Sequence, residues 1–316
     1  MSPVILLRRL GGGVLVLWLV SVTAFLLVAL LPGDAAESIA GESATAADVE
    51  VIRERLGLDK PLPLQYVDWL FGVLSGDFGT SLRSGESVTG LILQAAPATF
   101  SLAGLAIVIA TLISLPAGTV AALRRGGWTD RVISMFATVG IAMPSFWILM
   151  LLIIVFAQLN PWLPATGYAP LSSGLWTWLS HLLLPATALG LAVAAEMARH
   201  TRGCVVDVLS RPYIRTARAR GAGGWWLVRR HVFRNAAIPV VTVLGLQIGH
   251  LVGGAIVIEA VAGIPGLGTM AIEAIFQREY PTIQGFVLLT GAIIVIANLA
   301  VDVAYTAINP RVRIEA

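Results

Sequence analysis

Six apolar stretches of membrane-crossing length, half the usual charge content, and arginines gathered into alternate loops predict an all-α polytopic membrane protein with six transmembrane helices. The 316 residues are 57% hydrophobic and only 12% charged, whereas soluble domains carry roughly 25% charged residues. With a mean hydropathy of +0.85, the chain has too little polar surface to cover a soluble particle of this size. Its apolar residues also come in long blocks, which makes lipid the solvent.

The first span is Leu10–Leu31, preceded by Arg8 and Arg9. It is longer than the apolar core of a signal peptide and is followed by Pro32-Gly33-Asp34 rather than a small-residue cleavage site, so it is read as retained. The loop Pro32–Pro97 holds ten acidic residues from Asp34 to Glu86. Within it, Val49–Leu58 and Leu64–Leu74 have apolar residues at helical spacing, separated by Pro61 and Pro63, and Trp69 and Phe71 suit a membrane interface. The second span is about Ala98–Ala122 and the third about Val132–Leu159. The fourth, about His181–Ala198, is the shortest and carries Pro185. A basic segment, Arg199–Asn235, leads to a fifth span at about Ile238–Ile258 and a sixth at about Ile283–Ile308. Each approaches the ~20 residues a helix needs to cross ~30 Å of hydrocarbon. Pro116, Pro144 and Pro185 lie inside spans and are expected to kink them. Gly245, Gly249, Gly253 and Gly254 on the fifth span allow close helix approach, or a hinge.

The basic residues orient the chain. One side holds Arg8, Arg9, Arg124, Arg125, Arg131, nine arginines from Arg199 to Arg234, Arg311 and Arg313, sixteen of the 21 in all. The other holds Arg53, Arg55, Lys60, Arg83 and Arg278. The positive-inside rule then places both termini in the cytoplasm, and an even number of spans agrees.

Several chemistries are excluded. The single lysine, Lys60, is followed by Pro61, so no phosphate-cradling GxxxxGK[ST] loop exists and any energy from ATP must come through another subunit. One cysteine, Cys204, permits neither an internal disulfide nor a thiolate metal site. The histidines, His181, His200, His231 and His250, form no metal-ligand pattern, and Ser145 has no base nearby in its span. The chain is therefore expected to be non-catalytic, with no metal or cofactor of its own. Ionisable groups in or near spans are Glu196, Glu259 and Asp302. Glu196 can pair with Arg199 or His200, Glu259 is expected at the outer interface, and Asp302 can cap or pair between helices. Gln247 and His250, three apart on the fifth span, are candidate pore-lining residues, as is Met143.

The segment Arg211–Val240 contains two helical stretches flanking Gly221, Gly223 and Gly224, and the second begins with Trp225-Trp226. A basic, aromatic knob of this kind cannot serve the bilayer and is expected to dock another protein, beyond its use as a positive-inside anchor. Tyr213-Ile214-Arg215-Thr216-Ala217-Arg218-Ala219-Arg220-Gly221, continued by His231, Arg234, Asn235, Ile238 and Pro239, resembles the EAA loop of ABC importer permeases in its oligopeptide, dipeptide and nickel branch. Arg215 stands where many such permeases have glutamate. Leu56-Gly57-Leu58-Asp59-Lys60-Pro61-Leu62, Gly76-Asp77-Phe78-Gly79-Thr80-Ser81, Pro97-Ala98-Thr99, Met143-Pro144-Ser145-Phe146, Gly263-Ile264-Pro265-Gly266-Leu267-Gly268 and Asn309-Pro310-Arg311-Val312-Arg313 extend the resemblance to the branch's B-type subunit along nearly the whole chain.

The resemblance implies a type I ABC importer permease fold and a transport subunit in the bacterial inner membrane. It implies a second related permease, two ATPase subunits or one fused ATPase that bind ATP and Mg, and an extracytoplasmic substrate-binding protein. No nucleic-acid partner is implied. Tyr213, Arg215, Thr216, Ala217, Ala219 and Gly221 would form the ATPase-coupling surface. Peptide is the implied cargo, with nickel, haem, glutathione or another small molecule as the alternative. A proton-coupled carrier using Asp302 or Glu196, and a non-transporting scaffold, are the readings from other classes.

Overall fold

In the structure, a computed structural model, residues 3–29, 45–55, 59–221 and 233–308 are described. Among the described residues the chain is helical, and extended pairing is confined to an isolated bridge between Thr80 and Ser87. The helices run α1 (Pro3–Ala29), α2 (Ala46–Arg55), α3 (Leu62–Leu74), α4 (Val88–Leu123), α5 (Trp128–Ala142) and α6 (Ser145–Ile153). A π-helical stretch, Ile154–Leu159, and a 3-10 turn, Leu171–Ser173, lead to α7 (Leu175–Ser210). Then come α8 (Pro212–Ala219), α9 (Phe233–Ala262), α10 (Leu267–Gln277) and α11 (Tyr280–Ile308).

Four stretches are long and apolar enough to cross a bilayer unaided: Leu7–Val28, Val88–Leu123, Leu175–Ser210 and Tyr280–Val301. Two sharply bent pairs bring the number to six if each counts as one span. They are α5 with α6 and its π-helical continuation, bent by 102°, and Gly253–Ala262 of α9 with α10, bent by 83°.

Three local features differ from a plain reading of hydropathy. The third apolar segment is not one rod. Pro144 has no N–H to donate and its ring disfavours helical backbone at the preceding residue; Met143 accordingly adopts φ −87°, ψ 128° and the chain turns there. Pro97, Pro116 and Pro185, by contrast, lie inside α4 and α7, which continue through them. Finally, α7 does not stop where its apolar run ends but continues through Arg199 and Arg202 to Ser210. At ~1.5 Å per residue its 36 residues measure about 54 Å, well beyond the ~30 Å hydrocarbon core. Nothing in that polar extension breaks a helix before Pro212.

The chain forms two compact units. The larger comprises the described residues of Met1–Leu7, Pro97–Thr269 and Ile296–Ala316. Its core is a layer of small and branched side chains from α4, α6, α7 and α9, including Leu102, Ala106, Leu149, Leu182, Leu189, Met197, Leu251 and Ile258. Glycine sets how closely these helices approach, as expected where packing rather than the hydrophobic effect must hold helices in lipid. A Cβ at Gly190 would sit 2.8 Å from the Ala106 carbonyl oxygen, and one at Gly140 2.9 Å from the Ala195 Cβ.

The smaller unit comprises the described residues of Arg8–Ala96 and Met270–Val295. Here α3 is fastened to α1 by Tyr66, whose hydroxyl lies 2.8 Å from Ser21 Oγ and whose ring meets Phe25 edge-on at 5.5 Å. Trp69 packs on the same Phe25 at 5.8 Å. The opposite face of α3, with Leu64, Phe71 and Leu74, is exposed. The buried Glu279 accepts a hydrogen bond from the Leu82 backbone N–H at 2.9 Å.

Candidate functional site

The candidate coupling surface is built where α7 ends. Arg211 is extended (φ −67°, ψ 144°) and Pro212 starts α8, so the chain turns sharply between the two helices. Packed back on α7, α8 buries Ile214 completely. Of its other side chains, Tyr213, Arg215, Thr216 and Ala219 are exposed and Ala217 is half-buried. Gly221 follows at φ +86° with open space around its α-carbon, a left-handed position that any side chain would strain. The helix is thus a short basic plug with one apolar anchor. Trp225, Trp226 and His231 lie outside the described residues.

The base under α8 is tight. Ala122 at the end of α4 packs with Val205 and Val208 of α7. A Cβ at Gly118 would meet the Ala198 carbonyl oxygen at 2.5 Å and the Thr201 Cβ at 2.7 Å, so α4 and α7 are in backbone contact there. Asp130, in the first turn of α5 and 4% exposed, receives both prongs of the Arg202 guanidinium, Nε at 2.6 Å and an Nη at 2.7 Å. The Gly126 N–H donates to the same carboxylate at 2.9 Å. Sequence reasoning missed this pair because seventy-two residues separate its members. The only available signal was a single acid among Arg124, Arg125 and Arg131.

A second constellation holds the bend between α9 and α10. Glu259 is fully buried. Its carboxylate accepts hydrogen bonds from Thr99 Oγ1 at 2.6 Å, the Gly268 N–H at 2.7 Å and the Thr269 N–H at 3.2 Å. Thr99 Oγ1 in turn accepts from the Leu267 N–H at 2.8 Å. The orphan donors at the start of α10 are therefore capped by a side chain from the preceding helix. This accounts for Gly263-Ile264-Pro265-Gly266-Leu267-Gly268. Gly263 turns at φ +64°, a Cβ on Gly266 would fall 2.4 Å from the Glu259 carboxyl carbon, and one on Gly268 would fall 2.4 Å from the Ile256 Cα. Glu259, expected at the outer interface, is buried within the protein and acts as this cap, with three donors converging on it.

The other candidates separate. Gln247 is 3% exposed and heads the face of α9 that carries Leu251, Ala255, Ile258 and Ala262 into the core. Met143 packs half-buried against that core. The side chains of His250 and Asp302 lie outside the described residues. Glu196 approaches His200 Nε2 at 3.8 Å, one helical turn on. Of the glycines on α9, Gly245 and Gly254 are crowded, by Val301 and Leu189, whereas Gly249 and Gly253 face open space. No group of three or more potential metal ligands occurs among the described residues.

Residues 114–314 match the family described as binding-protein-dependent transport system inner membrane component, and residues 4–103 match its N-terminal counterpart. The chain is 41% identical over 310 residues to a probable peptide ABC transporter permease protein of Sinorhizobium fredii (strain NBRC 101917 / NGR234), covering 98% of this chain and 99% of that one. It is 44% identical over 307 residues to a glutathione transport system permease protein of Escherichia coli (strain K12), covering 97% and 98%. The corresponding protein of Pectobacterium atrosepticum is 45% identical over the same length. Among solved structures, an inward-facing MetNI methionine ABC transporter superposes with a TM-score of 0.57 at 19% identity, covering 69% of this chain and 96% of that one, which supports the importer-permease fold. The chain belongs to the family of binding-protein-dependent transport system inner membrane components.

Proposed function

We propose that this chain is one permease subunit of an ATP-driven ABC importer and forms half of a translocation pathway for peptides delivered by an extracytoplasmic binding protein. The observation that carries the reading is end-to-end likeness to peptide and glutathione ABC permeases, at 41% identity or more over at least 97% of the chain. Glutathione is itself a tripeptide, and the names of the relatives favour it as the second reading of cargo.

In this reading two partner ATPase subunits, or one fused ATPase, bind ATP and Mg and hydrolyse the nucleotide. The exposed face of α8 seats on them through Tyr213, Arg215, Thr216, Ala217 and Ala219, with Gly221 ending the helix. The exposed guanidinium of Arg215 can meet acidic side chains or carbonyls of the ATPase. A second, related permease would complete the pathway, with Met143, Gln247 and His250 as candidate lining. The open face of α9 at Gly249 and Gly253 suits close approach by another helix. Both termini lie in the cytoplasm in this arrangement, and the acidic segment 32–97 faces the binding protein.

Reconstituting the permease pair with its ATPases and binding protein in liposomes tests the proposal, with labelled glutathione and labelled trialanine as probes. ATP-dependent uptake of either is expected. Ala217→Trp and Gly221→Val should assemble normally yet lose most uptake while retaining ATP hydrolysis. Full uptake in both variants would remove α8 as the coupling surface.

A further inference from the structure

The Asp130–Arg202 pair has no role in the coupling surface as drawn above, yet it occupies the joint beneath it. Three observations bear on what it does. First, α7 is a single helix from Leu175 to Ser210, and α8 is packed on its end, so any displacement of α8 is delivered to α7. Second, α5 touches α7 at two levels. At one, Gly140 lies against Ala195, where only glycine fits; at the other, Arg202 grips Asp130 with two hydrogen bonds. Third, α5 ends at the Met143-Pro144 break, beyond which the chain bends by 102°.

The two contacts with α7 differ in kind. The Gly140–Ala195 contact is van der Waals packing, short-ranged but without direction, and it would let α5 slide or pivot. The bidentate fork fixes direction as well as distance. Asp130 is also held by the Gly126 N–H at 2.9 Å, and Ser134 Oγ stands 3.4 Å from its other oxygen. The carboxylate thus ties together the α4–α5 turn, the first turn of α5 and the extension of α7. The other charged groups on that turn, Arg124, Arg125 and Arg131, are basic and exposed; Arg124 donates instead to Thr129 Oγ1 at 3.2 Å, and it is Arg202 that holds the buried acid.

We propose that Asp130 and Arg202 are the positioning pair that makes α5 move with α7 during transport, so that displacement of the ATPase-facing helix α8 is spent at the Met143-Pro144 break rather than lost as slip between the two helices. This rests on the reading of the chain as an importer permease. The ion pair itself touches neither cargo nor nucleotide.

The assembled importer, with its partner permease, ATPases and binding protein, is the system for the test. Asp130→Asn, Arg202→Lys and the exchanged pair Asp130→Arg with Arg202→Asp are compared for ATP hydrolysis and for uptake of labelled glutathione and trialanine. Asp130→Asn should keep hydrolysis while uptake per ATP falls about two- to thirtyfold. Arg202→Lys, which keeps the charge but not the fork, should fall in the same direction, and the exchanged pair should recover part of the loss. Uptake per ATP at the unaltered level in Asp130→Asn overturns the proposal. Should that variant fail to assemble, Arg202→Lys decides in the same way.

A second readout is independent of cargo. Spin labels at Met135→Cys and Arg199→Cys, in a Cys204→Ser background, report the α5–α7 separation with and without bound nucleotide. The separation should be unchanged by nucleotide in the unaltered pair and should broaden in Asp130→Asn. A separation that changes with nucleotide while the pair is intact overturns the latch. If neither probe is transported even by the unaltered complex, the functional reading fails, and the label separation still decides the latch.

Discussion

Single residues show most clearly how close the helices lie. At Gly118 an added methyl would fall 2.5 Å from a backbone oxygen, which no side-chain rotation can relieve, whereas at Gly104 it would meet nothing within 4 Å. Gly118→Ala should therefore lower the thermal midpoint of the purified protein in detergent. Gly104→Ala should leave it equal or slightly raised, since alanine is favoured over glycine in a helix by about 0.5–1 kcal/mol. Glu259 offers a second contrast. Replacing it with alanine strands the Gly268 and Thr269 N–H groups and the Thr99 hydroxyl in a buried site, at a cost of about 1–3 kcal/mol for each unsatisfied group. Glu259→Ala should thus lower heat stability more than Glu259→Gln, which keeps an acceptor oxygen; equal losses would contradict the capping role. The glycines of this bend were visible in the sequence as a motif, and Glu259 separately as an ionisable residue near a span end. Their mutual dependence was not, because it arises only when the chain bends by 83° between α9 and α10.

Among the elements, the third apolar segment carries the sharpest test. Pro144→Ala restores an N–H that can donate to the Gly140 carbonyl, and it removes the ring that holds Met143 extended. The helix should then run further through the break. Uptake should fall while the amount of protein in the membrane is unchanged, as measured by immunoblot against transport in the same vesicles. Proline alone does not decide such outcomes. Pro116 and Pro185 are equally visible in the sequence, yet α4 and α7 continue through them. In a packed bundle, neighbours and local adjustment can satisfy the freed carbonyls. The length of α7 was hidden for another reason. Hydropathy marks where the lipid ends and says nothing about where a helix ends, so Arg199–Ser210 reads as loop although it is the base for α8.

At the scale of the molecule, orientation is the property that charge alone addresses. Cysteines introduced at Gly85 and at Gly126, both exposed turn positions, should differ in reaction with a membrane-impermeant maleimide added to intact cells. Gly85→Cys should label from outside, and Gly126→Cys only after the membrane is opened. The reverse pattern would invert the topology and overturn the proposed seating of α8 on the ATPases. The six-span arrangement and the importer-permease fold were legible because they depend on counts of apolar residues, on charge asymmetry and on the order of short motifs. The candidate site was legible only in part. Tyr213–Gly221 stood out as a motif, whereas Asp130, Arg202 and Thr99 did not.

What the sequence determined by itself is therefore what solvent governs: which segments are apolar enough for lipid, where the arginines gather, and that the chain carries no phosphate-cradling GxxxxGK[ST] loop. Lipid tolerates neither unpaired backbone nor scattered charge, so these properties are written along the chain in long, local runs. Tertiary structure alone decided which prolines break a helix, which glycines are contacts and which face open space, and that one buried acid caps α10 while another grips Arg202. Those outcomes depend on atoms brought within ~3 Å by folding from positions as distant as Thr99 and Leu267, 168 residues apart, and no local pattern records such a meeting.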